Sequence, residues 1–256
     1  MTFVRACIFN VYFFVLTLVM GIVALPIRIF VPSCALSYAQ AWTRLTVKGL
    51  QRICGIRIVV SGREHLPDGP CLLACQHQSA LDTLVWMNLV ERPAYVMKSE
   101  LTRIPLVGPM LLLTGMIPVE RAGGAKALRA LLAATDKARD DHRQIIIFPE
   151  GTRMPPGRIG KLHPGIAAMA AHSGLAVIPV ATDSGLRWGR NAFIKRSGTI
   201  HIVLGPPLAC TTKRAQILPA IVTAWETLSR DNGLPLLTPP PVDNSVENSV
   251  ATSPKP

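Results

Sequence analysis

The sequence predicts an α/β fold, a mixed sheet flanked by helices, preceded by an amino-terminal membrane-associated helical segment. Three observations carry that expectation. Beyond residue 55, short β-branched runs alternate with helical stretches, the pattern of buried strands covered by helices. Residues 7–25 read CIFNVYFFVLTLVMGIVAL, enough for about 28 Å of helix against a hydrocarbon core of roughly 30 Å. The chain has 256 residues, 49% hydrophobic and 16% charged, so it can bury a substantial core and is not a wholly disordered polymer.

The elements follow in order. In the first apolar run Asn10 and Thr17 are the main polar interruptions. A signal peptide would need an apolar region about half as long, and Ala39-Gln40-Ala41 lies too far past Leu25 to be its cleavage site. Pro26 and Pro32 are expected to interrupt the helix. A second stretch, 34–50, then alternates apolar positions with Arg44 and Lys48. No acidic residue precedes Glu64, whereas Arg5, Arg28, Arg44, Lys48, Arg52, Arg57 and Arg63 do. A positive field beside an apolar helix suits an anionic leaflet, at about 1 kcal/mol per basic residue. Basic residues on both flanks leave open whether the helix spans the membrane or lies in its interface.

Strands are expected at 57–61, 71–75, 94–97, 116–119, 144–148, 176–180 and 199–204. Helices are expected at 81–90, 105–113, 124–140, 164–172 and 213–230. The 124–140 helix carries Leu128, Leu131, Leu132 and Ala138 at near-helical spacing, with Lys126, Arg129, Lys137 and Arg139 outward. From Gly233 the chain turns to Pro, Ser and Asn, including Pro239–Pro241, and is expected to be disordered. The resulting division is a membrane-associated segment at 1–54, an α/β domain at 55–232 and a tail at 233–256.

Charge and cysteine usage narrow the chemistry. Lys and Arg number 27 against 15 Asp and Glu, a net charge of +12. The isoelectric point is about 10.0 and the mean hydropathy +0.35. Such a surface attracts polyanions, and a basic, greasy chain points to a membrane surface. Nucleic acid is not an expected partner: it would explain the charge but not the apolar start, and 5% aromatics are too few for a base-stacking sheet. Cys71 and Cys75 are four apart, with no second cysteine pair or histidine cluster to complete a zinc site. The scattered thiols fit a reducing cytosol. No metal or cofactor is expected.

Four segments carry chemistry. Cys75-Gln-His77-Gln-Ser-Ala-Leu-Asp82 places His and Asp five residues apart, about 140° around one helix, where they could not meet. With His77 at the strand exit and Asp82 in the first helical turn they can, and Asp82 could then orient an imidazole base. Ser79-x-x-Asp82 also reads as a capping box, so Asp82 could serve only the helix start. Phe148-Pro-Glu-Gly-Thr-Arg153 leaves the most hydrophobic strand: Pro149 ends the ladder, Gly151 admits a close ligand and Arg153 is a bidentate phosphate donor. Glu150 needs an Arg or backbone N–H partner. Gly115-Met-Ile-Pro-Val-Glu-Arg121 delivers a Glu-Arg pair. In Val177-Ile-Pro-Val180, Pro179 suggests an edge strand or bulge.

In this order and separation the segments resemble the glycerolipid acyltransferase family, which includes lysophosphatidic-acid acyltransferases. His77 and Asp82 match its His-x4-Asp block, Gly115 to Arg121 its Gly-x5-Arg block, and Phe148 to Arg153 its Phe-Pro-Glu-Gly-Thr-Arg block. Ile178-Pro-Val180 matches its apolar-Pro block, and Lys98-Ser-Glu-Leu101 its Lys-x-Glu-Leu segment. The resemblance covers about residues 55–210. Pro118 stands where the family commonly has an aromatic, which affects one local wall of the pocket.

The resemblance implies acyl transfer from a thioester, acyl-CoA or acyl carrier protein, to the hydroxyl of 1-acylglycerol 3-phosphate (lysophosphatidic acid), giving phosphatidic acid. His77 and Asp82 would be catalytic, and no enzyme nucleophile is needed, Ser79 serving as a cap. Lys98, Arg121 and Arg153 would hold the phosphate, with Glu150, Gly151 and Thr152 completing the substrate-binding set. The enzyme would sit on anionic lipid of the cytoplasmic membrane, its catalytic domain on the cytosolic side. Residues 106–113 are either part of an apolar acyl groove or a buried core helix. The alternatives are another lysolipid acceptor, including the ornithine-lipid type, and a membrane-surface binding protein, which would not need His77. A lipase would need Gly-x-Ser-x-Gly, which none of Ser173, Ser184 and Ser197 provides, and a nucleotide-binding enzyme would need a P-loop, which is missing.

Overall fold

The structure, a computed structural model, describes residues 1–120, 123–209 and 213–238. The seven strands are β1 Ile56–Ser61, β2 Cys71–Cys75, β3 Pro93–Lys98, β4 Ile117–Val119, β5 Gln144–Ile147, β6 Val177–Thr182 and β7 Gly198–Leu204. They form one sheet in the order β1-β7-β6-β2-β5-β3-β4. Every pairing is parallel except β6 with β7, so the sheet is mixed, as expected. β2 and β5 lie at its centre and are buried at every position. That explains why CLLAC and QIII read as apolar runs with no alternation.

Helices cover both faces. On one lie α1 Thr2–Phe30, α2 Ala35–Cys54 and α3 Asp82–Leu89, packed with Leu73, Cys75, Ile146, Ile178 and Ile200. On the other, α5 Gly124–Asp140, α6 Gly165–Ser173 and α7 Arg214–Asp231 bury Leu131, Ile166, Met169, Ile217, Ile221 and Trp225 against Leu72, Ala74, Ile145 and Val177. The alternating split of Leu72 and Leu73 between the two cores is the period-two geometry of a strand. The short α4 Gly108–Leu113 lies beside the α1–α2 hairpin.

Three expectations are corrected. Residues 1–54 are not set apart from the α/β body: Phe9, Leu50 and Cys54 are buried in the same core as Ile56 and Leu73. Pro26 does not end the first helix, which runs on to Phe30. Pro26 lies on the exposed side one turn from the helix end, so it removes one backbone bond near the terminus without breaking the helix. Pro179 does not mark an edge, because β6 lies between β7 and β2. Its nitrogen faces the segment where the chain after β7 has left the ladder, and Gly205 N–H donates there to the Pro179 carbonyl (2.8 Å). The proline thus costs one donor just past the end of the β6–β7 ladder, not within it.

The expected tail boundary at Gly233 also moves. Leu234 is buried against Ala181 and Val203, and Thr238 N–H donates to Gly157 O (2.9 Å), so the chain stays on the domain through Thr238. The remainder of the tail lies outside the described residues.

α1 and α2 run antiparallel, tied by Tyr12 Oη to Leu45 O (2.9 Å), Trp42 Nε1 to Thr17 Oγ1 (3.2 Å) and Tyr38 Oη to Met20 O (2.6 Å). Of α1 only Ala6, Phe9 and Ala24 are buried. Phe3, Val4, Ile8, Val11, Phe14, Val15, Leu18, Val19, Ile22 and Ile29 are exposed. Among the described residues α1 is the one helix long and apolar enough to cross a membrane. It is nevertheless fastened to the domain near both ends, by Phe9 against Trp188 (5.7 Å between ring centroids) and by Ala24 against Met110.

Candidate active site

The site is built where β2 ends. The chain leaves Cys75 without a turn and enters α3 at Asp82, and His77 lies in the connection. Gln76 and Gln78, flanking the histidine, hold it to the exit of β6. Gln76 Oε1 accepts from Thr182 N–H (3.0 Å), and Gln78 Nε2 donates to Thr182 O (2.7 Å). Asp82, buried at the start of α3, gathers three donors on one oxygen: Gln78 N–H (2.8 Å), Ser79 N–H (2.7 Å) and His77 Nδ1 (3.2 Å). Ser79 Oγ accepts from Leu81 N–H (3.1 Å). The two sequence readings of Asp82 are thus one arrangement, because the carboxylate caps the helix and orients the imidazole together. With Nδ1–H given to the carboxylate, Nε2 is left as the acceptor.

The segment after β5 grips the same histidine. Phe148 stacks on the imidazole at 4.2 Å between centroids, 23° from coplanar. Pro149 stops the strand, and Gly151, at φ +64°, turns the chain back in a conformation that suits glycine. Glu150 is buried. Its Oε2 accepts from His77 N–H (2.9 Å) and its Oε1 from Gly160 N–H (3.4 Å). Met154 N–H donates to His77 O (2.7 Å). Both backbone polar groups of the histidine are therefore held by this segment. Burial pushes the Glu150 carboxyl up to about 7; the two backbone donors work against that rise and the Asp82 charge adds to it.

A cavity of about 570 Å³ opens beside this pair, lined by His77, Phe148, Gly151, Thr152, Arg153, Lys98, Arg190 and Asn191 on its polar side. Trp42, Thr83, Tyr95, Val107, Leu111 and Met116 line its other side and also wall an apolar pocket beneath the α1–α2 hairpin. Thr17, Met20, Gly21, Ala24 and Tyr38 close that pocket, together with Leu106 and Met110. The expected apolar stretch 106–113 thus supplies four lining residues, Leu106, Val107, Met110 and Leu111, with Leu112 and Leu113 exposed. The imidazole and the cations line only the larger cavity, beside apolar residues such as Leu84, Val96 and Ile104, whereas the pocket under the hairpin has no charged residue in its lining.

Of the expected site residues, His77, Lys98, Gly151, Thr152 and Arg153 meet in the cavity and Asp82 stands behind His77. Glu150 does not line the cavity; it is bonded to the histidine's backbone from behind. Arg121 lies outside the described residues, and its neighbour Glu120 lines an adjoining cavity that shares Phe148 and Gly151 with this one. Arg190 and Asn191 were not expected. They sit in a loop with no periodic pattern, and the only sequence signal was a run of basic residues with no acid from Ser184 to Trp225. Among the described residues, no group of three or more His, Cys, Asp or Glu could hold a metal ion.

The family profile described as Acyltransferase matches residues 57–183. A Pseudomonas aeruginosa protein named 1-acyl-sn-glycerol-3-phosphate acyltransferase is 35% identical over 169 residues, 66% of this chain and 66% of that protein. A Borreliella burgdorferi protein of the same name is 33% identical over 130 residues, 50% of this chain and 52% of that one. The match to a chloroplastic Brassica napus protein, BAT2, of the same activity name spans only 44% of its length. The chain thus spans just under two thirds of the first of these relatives and about half or less of the others. The crystal structure of the lysophosphatidic-acid acyltransferase PlsC from Thermotoga maritima superimposes with a TM-score of 0.67 at 19% identity, covering 89% of this chain and 99% of that one. It establishes the shared fold.

Proposed function

Because the chain belongs to the glycerolipid acyltransferase family, we propose that it moves a fatty acyl group from a thioester donor to the free hydroxyl of 1-acylglycerol 3-phosphate, forming phosphatidic acid. The observation that carries the proposal is the pairing of His77 and Asp82 beside a cavity lined by Lys98, Arg153 and Arg190, which shares a wall with an apolar pocket. Lys98, Arg153 and Arg190 match the phosphate of the acceptor, and the pocket under α1 and α2 matches the acyl chain of the donor.

In this reading the acceptor hydroxyl approaches His77 Nε2, which takes its proton as the oxygen attacks the thioester carbonyl. The imidazolium is stabilised by Asp82, and the tetrahedral intermediate collapses with loss of the thiolate, which takes the proton back from Nε2. The thioester is already activated, so no acyl-enzyme is required. Phosphate held by Arg153 and its neighbours fixes the glycerol backbone, which makes attack effectively intramolecular. Acyl-CoA and acyl carrier protein present the same thioester to this chemistry.

The exposed apolar side of α1 supports residence on a membrane. Since α1 is fastened to the domain near both ends and along α2, we infer that it lies in the interface and does not cross. The test is mass-spectrometric detection of phosphatidic acid from lysophosphatidic acid with acyl-CoA, and separately with acyl carrier protein, by wild type and His77→Ala. Product from wild type alone is expected. Acylation of other lysolipids only would overturn the acceptor, and equal product from both proteins would overturn the role of His77.

A further inference from the structure

The connection from β6 to β7 has a composition that the reaction does not explain. Leu186, Phe193 and Ile194 are exposed, interleaved with Arg187, Arg190, Lys195 and Arg196, and no acid occurs between Asp183 and Glu226. Large apolar side chains turned outward among uncompensated cations are costly in water and suited to the headgroup region of an anionic bilayer.

The loop is also welded to α1. Lys195 is buried, with its ammonium 5.0 Å from the ring centroid of Trp188, 5.4 Å from Phe9 and 5.6 Å from Phe193. It donates to Asn10 Oδ1 and to Phe193 O, and Asn10 Nδ2 reaches the same carbonyl (3.4 Å). No carboxylate is among these contacts, so the charge is held by ring faces and neutral oxygens. On the outer side Phe193 meets Phe3 of α1 at 5.8 Å between centroids, and both are half or more exposed. The apolar face of α1 therefore continues onto the loop without a polar break at this contact. Between Trp188 and Phe193 the same loop sends Arg190 and Asn191 into the reaction cavity.

We propose that residues 186–196 form a second membrane-docking element, which sets Phe193 and Ile194 among the headgroups and upper acyl chains of an anionic bilayer and Arg196 against lipid phosphate. The proposal rests on the interfacial reading of α1 and adds to it a defined orientation. With α1 and this loop both on the lipid, the Arg190 side of the cavity faces the surface from which a bilayer-resident acceptor enters. Each basic residue near an anionic surface contributes about a five-fold gain in binding, and the apolar side chains add to it in proportion to the area they bury.

The full-length protein would be mixed with phosphatidylcholine vesicles, with and without phosphatidylglycerol. Phe193→Trp, compared with wild type, would be read by quenching from lipids brominated on the acyl chain. Ile194→Ser combined with Arg196→Gln would be read by vesicle partitioning and by turnover in detergent micelles. The expected results are extra quenching in Phe193→Trp and a roughly ten-fold or greater fall in partitioning of the double variant onto anionic vesicles, with micellar turnover unchanged. Wild type that fails to bind vesicles overturns the membrane reading of α1 and the loop with it. Wild type that binds, with Phe193→Trp unquenched and the double variant unaffected, overturns the loop alone. Equal binding to neutral and anionic vesicles overturns the assignment of Arg196 to lipid phosphate.

Discussion

Glu150 offers the sharpest test of how the site is held together. Its carboxyl is displaced from the ordinary 4.5 to about 7 by burial. At about 1.36 kcal/mol per pH unit this amounts to about 3 kcal/mol. The sign follows from the direction. The folded-state value is raised, so the carboxyl favours folding fully below about pH 4.5, and that contribution is lost as the pH rises to about 7 and beyond. Glu150→Gln removes the titration while its amide oxygen still accepts from His77 N–H. The stability of the variant relative to wild type should therefore improve by about 3 kcal/mol between pH 4.5 and pH 8.

Glu150→Ala is the informative contrast. It strips the acceptor from the half-buried N–H of His77, at a cost of about 1–3 kcal/mol, and frees the backbone that aims Nε2. A displacement of about 1 Å at the base is worth about 10²-fold in rate. Denaturation at pH 5 and pH 8, with steady-state kinetics on all three proteins, reads both effects. The expected pattern is kcat largely kept in Glu150→Gln and cut about a hundred-fold in Glu150→Ala, with the acceptor KM unchanged. A raised acceptor KM with kcat intact in Glu150→Ala would show that this carboxylate touches substrate and refute the positioning argument. A stability difference flat in pH would refute the buried, high-pKa carboxyl.

His77→Ala should leave folding and vesicle attachment intact while lowering turnover by roughly 10²–10⁴-fold or more, measured as phosphatidic acid formed per enzyme. Arg153→Ala and Arg190→Ala should each raise the acceptor KM with smaller changes in kcat, because ground-state and transition-state phosphate are bound alike; unchanged KM in both would remove the phosphate from this end of the cavity. Gly21→Leu should shift donor preference toward shorter acyl chains, since a Cβ there already stands 3.3 Å from Leu106 Cδ1 in the wall of the apolar pocket. A competition assay with donors of graded length gives the answer, and an unchanged profile would place the chain elsewhere.

What could be read from the sequence depended on whether the signal was local. β2 and α5 were placed to the residue, the first because CLLAC is apolar without alternation, the second because Gly123-Gly124 and Asp140-Asp141 bound a clear amphipathic period. The His77–Asp82 contact was legible as one of two open readings, since a strand exit followed by a helix start allows that approach, and the structure makes it at 3.2 Å. Pro179 misled because the cost of a proline in a strand depends on which neighbour its missing N–H would face, which is set by tertiary placement, and Pro26 because a long helix can run on past a proline. Glu150 entered the substrate-binding set only through the family resemblance; the backbone N–H partner that its basic surroundings called for is the amide of His77. Arg190 reaches the cavity only because β6 and β7 bring a distant loop alongside it.

The amino-terminal helices are part of the site for the same tertiary reason. The wall formed by Trp42, Thr83, Tyr95, Leu111 and Met116 faces the polar cavity on one side and the apolar pocket on the other. α2 supplies Trp42, and the pocket is closed on its far side by Thr17, Met20, Gly21 and Ala24 of α1. Without α1 the apolar pocket would open to water, and Leu106 and Met110 would lose the partners they pack against. The α/β domain alone carries His77 and its supports, but the apolar pocket exists only where α1 and α2 lie against α4. In the proposed reading, an apolar helix exposed on its outer face and lining a pocket on its inner face would join the lipid phase to the reaction chamber. That accounts for a core in which Phe9 of α1 is as deeply buried as Leu73 of the central sheet.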